Sequence, residues 1–79
     1  MPKFYFHLLD DMDTFYDEGM ELADLAAARD VVLNEARRLM CETMTKDGRI
    51  TLHHRIDILD EGRAVVGSVR FGDAVRVEE

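Results

Sequence analysis

Between Asp24 and Gly48 the chain reads LAAARDVVLNEARRLMCETMTKD, without a glycine or a proline. No other feature constrains the fold as tightly. Alanine, leucine, arginine, glutamate and methionine dominate it, as they do in helices. The reading is one long helix over residues 25 to about 46. Asp24 is placed to accept from the free amides of its first turn, and Gly48 to stop it. Leu25, Ala28, Val32, Ala36, Leu39 and Thr43 fall along one stripe, flanked by Leu33, Met40 and Met44. Asp30, Asn34, Arg37, Arg38 and Cys41 fall on the other side. Glu42 and Lys46 have the spacing of an ion pair one turn apart.

The residues around this helix carry the two-residue period of strands. KFYFHLL at 3–9 puts Phe4, Phe6 and Leu8 on one face and Tyr5, His7 and Leu9 on the other. A shorter strand over 14–18 follows, with residues 10–13 as the turn and Gly19 as its end. Residues 50–59 and 63–71 form a second hairpin around Glu61 and Gly62. If Asp60 faces Arg63, Ile58 meets Val65, Ile56 meets Gly67, His54 meets Val69 and Leu52 meets Phe71. Leu52, Ile56, Ile58, Val65, Val69 and Phe71 then share one face, and a one-residue slip would mix the faces. The tail after Phe71 either continues this strand or reaches a partner. The expected fold is α+β, ββαββ: two antiparallel hairpins in one sheet, with one helix on one face.

With 79 residues the chain is read as a single domain, 1–79, near the small end of what folds alone. Seventeen acids against ten lysines and arginines give a net charge of -7. That balance repels phosphate backbones and anionic lipid surfaces, so neither nucleic acid nor membrane is an expected partner. Cys41 is the only cysteine and has nothing to pair with inside the chain. No run approaches the roughly 20 apolar residues of a membrane span, and the first residues lack a signal-peptide core. A cytoplasmic location is the expectation.

Seven acids crowd into LLDDMDTFYDEGMELAD, residues 8–24. A calcium-binding EF-hand loop needs oxygen donors at alternating positions and a glycine at its sixth. Counting from Asp11 puts Phe15, Tyr16 and Leu22 where an oxygen donor, the glycine and the closing glutamate belong. The motif is absent, and the candidate cation ligands reduce to Asp10, Asp11 and Asp13. His53 and His54, adjacent in the expected strand, point to opposite faces and cannot chelate one ion. His7 and Asp57 are a candidate polar pair across the sheet, with His53 nearby. Cys41 has Arg37 and Arg38 one turn back, which would favour its thiolate. No base or oxyanion site accompanies it, so the reading is non-enzymatic and no cofactor is implied.

The chain resembles a family of small uncharacterised proteins frequent in rhizobia and related bacteria. That pattern opens with M-P-R-Y-F-F-H, continues with an acidic turn, D-x-E-G-x-E-L-x-D and an Ala/Arg-rich helix, and closes with a hairpin. Its counterparts here are MPKFYFH at 1–7, DEGMELAD at 17–24, LAAARDVVLNEA at 25–36 and IDILDEGRAVVGSVRF at 56–71. Lys3 replaces the arginine, and the turn at Glu61 and Gly62 is one residue shorter. The resemblance implies a stand-alone bacterial cytoplasmic protein and carries no activity, cofactor or catalytic residue.

One helix covers one sheet face. Tyr5, His7, Leu9, Leu59, Ala64 and Val66 on the other are the candidate interface residues, and apolar patches of this kind mark interaction surfaces. The leading expectation is a protein-interaction module forming a homodimer, with some other protein as a further possible partner. The second is a small-ligand or cation-binding protein using the acidic turn or the His7, His53 and Asp57 region.

Overall fold

The computed structural model describes residues 1–78. Strand β1 (Lys3–Leu9) and strand β2 (Asp13–Glu21) precede helix α1 (Leu25–Asp47). Strands β3 (Arg55–Leu59) and β4 (Val65–Arg70) follow, then a single 3-10 turn at Phe71–Asp73. All pairings are antiparallel, and the four strands form one sheet in the order β2-β1-β3-β4. The fold is ββαββ, with each hairpin contributing its inner strand to the centre of the sheet.

The helix begins and ends where the local chemistry dictates. Asp24 is extended, and its Oδ1 accepts from the Ala27 amide at 2.9 Å, which satisfies one of the orphan amides of the first turn. Gly48 takes the left-handed conformation (φ 67°) and donates its amide to the Met44 carbonyl. Ala28, Val32, Ala36 and Met40 are buried at every fourth position. Beneath them lie Phe4, Phe6, Leu8, Ile56, Ile58, Val69 and Phe71. Burying one such large side chain contributes about 1.5–3 kcal/mol, so the stability resides at this one interface. The molecule is only 16 Å across in its thinnest direction, the depth of one sheet and one helix.

The second hairpin departs from the expected register. Ile58 stands opposite Gly67, Ile56 opposite Val69, and Leu59 opposite Val65. A shift of two residues preserves the side-chain face, which is why Ile56, Ile58 and Val69 still meet the helix. The ladder is irregular between Ile58 and Leu59, and this bulge turns Val65 out of the core, leaving it 59% exposed. Asp60 faces Ala64 rather than Arg63: its amide donates to the Ala64 carbonyl and its carbonyl accepts from Arg63. Arg63, not Gly62, adopts the left-handed conformation (φ 68°).

Residues 50–54 are not strand. Only the Leu52 and His54 carbonyls prolong the pairing, accepting from Gly72 and Phe71, and Leu52 is exposed. Nor does Gly19 end β2, which runs to Glu21. Phe4 faces Met20 but Phe6 faces Tyr16, so residues 17–19 bulge opposite Tyr5. Glu42 pairs with Arg38 at 3.2 Å, not with Lys46. The tail does not extend β4: after the 3-10 turn Ala74 is buried, and its carbonyl accepts from Arg37 Nε at 2.6 Å. Glu79 lies outside the described residues.

Candidate functional site

The sheet face turned away from the helix carries Tyr5, His7 and Leu9 from β1 and Phe15 from β2. Tyr5 and Phe15 stack at 6.3 Å, and His7 meets Phe15 edge-on at 5.9 Å. The left-handed residue of the β3–β4 turn lays its side chain across them. The Arg63 guanidinium sits 4.6 Å from the centre of the Tyr5 ring and 4.8 Å from that of Phe15, within the range of cation–π attraction.

This lid divides the expected patch. Leu59, opposite Tyr5 in the ladder, is only 8% exposed, while Tyr5, His7 and Leu9 are half-buried. Ala64, Val65 and Val66 remain exposed at the margin. Asp57 stands opposite His7. Its Oδ1, however, accepts from Arg55 Nε at 3.2 Å and Ser68 Oγ at 2.8 Å.

The two sheet edges differ in chemistry. Along β2 lie Asp13, Asp17, Glu18 and Glu21, together with the bulge; charge and irregularity both resist pairing with another strand. The sequence of β4 is VVGSVR, without an acid. Phe71 donates its amide to His54 across the β3–β4 ladder. Backbone alternation therefore turns the Gly67 and Val69 amides toward β3, and those of Ser68 and Arg70 away from the sheet.

The acids of the first turn are split. Asp10 accepts the Met12 amide at 2.9 Å, Asp11 approaches His54 Nε2 at 3.5 Å, and Asp13 stands in β2 opposite Leu9. Because residues 53 and 54 are not in a strand, the two imidazoles do not diverge: they meet edge-to-face at 4.9 Å, and His54 also meets Phe71. His53 is thereby placed against His54. No group of three or more His, Cys, Asp or Glu side chains among the described residues is arranged to hold a metal. Cys41 is exposed. Of the arginines one turn back, Arg37 is bound to Ala74, and Arg38 to Glu35 and Glu42.

A second concavity opens on the helix side. The helix packs on β3 and β4, so the flank toward β2 is left as a groove of about 520 Å³. Phe6, Tyr16, Met20, Val31 and Ile56 form its apolar surface, and Glu18, Asn34, Glu35 and Arg38 stand at its mouth. Arg38 donates to both Glu35 oxygens at 2.8 Å. That hydrogen bonding holds the Glu35 carboxyl below its usual range and raises Arg38 further. Burial, aided by the Glu35 charge, pushes the Tyr16 phenol up. The sequence pattern does not mark Phe15 and Arg63 as partners on the open face, or Tyr16 and Glu18 as groove residues. The available signal was the spacing of Glu35, Arg38 and Glu42 on one helical side.

No helix among the described residues is long and apolar enough to cross a membrane. No curated protein and no solved structure matches the chain. The family model described as a domain of unknown function, DUF6894, matches residues 3–72. The chain belongs to this family of unknown function.

Proposed function

We propose that this protein is a non-enzymatic interaction module that pairs with a second copy of itself along β4. The observation that carries the reading is the contrast between the edges. β2 carries four acids and β4 none, and β4 turns the Ser68 and Arg70 amides outward beside exposed Val65 and Val66. A two-fold axis at Ser68 would put Ser68 opposite Ser68 of the partner and Val66 opposite its Arg70. Ser68 and Arg70 bring outward amides to these pairs, and no arginine faces another arginine. The product is a closed dimer with a continuous eight-stranded sheet. Pairing β4 with a β2 edge would instead leave open ends that grow into fibres.

Sedimentation velocity tests this reading. At high micromolar concentration the protein should sediment as a dimer. Val66→Lys, which adds a charge at an exposed edge position, should sediment as a monomer with an unchanged circular-dichroism spectrum. A wild-type monomer over the same range contradicts the proposal.

A further inference from the structure

We infer that the groove between α1 and β2 is a binding site for a small amphiphile with an apolar tail and a cationic head. The site is distinct from the β4 edge and goes beyond the dimer. Its volume, about 520 Å³, lies within the range of small-molecule sites, which combine an apolar lining with a few polar groups at fixed positions. Phe6 and Ile56 come from the two central strands, Val31 from the helix, and Tyr16 and Met20 from the edge strand. The tail would therefore bury surface against three elements at once. Met20 is the most exposed of these five and forms the outer wall, where a flexible thioether adapts to different shapes.

The mouth selects the head group by charge. Arg38 is the one cation in the lining, and it is already engaged by Glu35 and by Glu42. The Glu35 carboxyl, held below its usual range, is ionised at neutral pH. Glu18, which the β2 bulge places at the mouth, has no cationic partner within salt-bridge distance among the described residues. Two carboxylates in the lining and a third behind Arg38 outweigh one guanidinium. A primary ammonium fits that field, and a carboxylate does not.

The test uses three probes with one tail: octylamine, octanol and octanoate, titrated into the isotope-labelled protein and followed by NMR. Octylamine should bind saturably, at one per chain, with shifts at Phe6, Tyr16, Met20 and Val31 and none at Val66. Octanoate should bind at least tenfold more weakly, with octanol between them. Glu18→Lys leaves the apolar wall intact, balances two carboxylates with two cations at the mouth, and should abolish the preference for octylamine over octanoate. Equal binding of the two ions to the wild type, no saturable octylamine binding, shifts centred on β4, or an undiminished preference in Glu18→Lys would each overturn the inference.

Discussion

Arg63 spends conformational energy and recovers it locally. A side chain in the left-handed region costs about 1 kcal/mol, and a guanidinium over an aromatic face returns about 1 kcal/mol. Its stack over Tyr5 and Phe15 is what makes the left-handed position tolerable. Arg63→Ala keeps the strain and loses the stack, so urea denaturation should find it about 1 kcal/mol less stable than wild type. Arg63→Gly loses both and should recover most of that loss. Glu35 gives a pH-dependent counterpart. Its folded-state pKa is depressed, chiefly by the hydrogen bond from Arg38. The stability it contributes is therefore present above the ordinary glutamate value and lost as pH falls through the depressed one. The pair is partly exposed, and solvent screening limits its worth to about 1 kcal/mol or less. In acid titrations of stability, Glu35→Gln should be weaker than wild type near neutrality and converge with it at low pH.

At the scale of elements, the caps and the bulges have opposite legibility. Asp24 and Gly48 act within one turn of themselves, so the sequence announces the helix ends. Asp24→Ala should lower stability by about 1 kcal/mol, read from its thermal transition. The alternation of Phe4, Phe6 and Leu8, and of Ile56 and Ile58, likewise identifies the buried faces before any register is known. The registers were less accessible. The shift at Ile58 and Leu59 and the extra residues at 17–19 on β2 are fixed by what each strand meets across the sheet. In the turn at Glu61 and Gly62, Asp60 Oδ1 accepts from the Gly62 and Ala64 amides and the left-handed conformation falls on Arg63, which the sequence does not signal. The groove was illegible for a related reason: it follows from the helix lying toward β3 and β4, an offset that periodicity does not encode.

The molecule as a whole is a two-layer slab whose sheet presents one acidic edge, β2, and one edge without an acid, β4. The β1–β3 pairing that closes the sheet joins the two hairpins across the length of the helix. This long-range contact places β4 at the rim. An eight-stranded dimer would keep both helices on one side and both Arg63 lids on the other. Cross-linking at position 68 tests this most directly. Residues paired through hydrogen bonds in an antiparallel ladder have Cα atoms about 5.5 Å apart, within disulfide range. In a Cys41→Ser background, Ser68→Cys should oxidise to a covalent dimer, and Glu18→Cys on the β2 edge should not. Ser68→Cys remaining monomeric where the parent protein dimerises, or Glu18→Cys cross-linking equally well, would contradict pairing along β4.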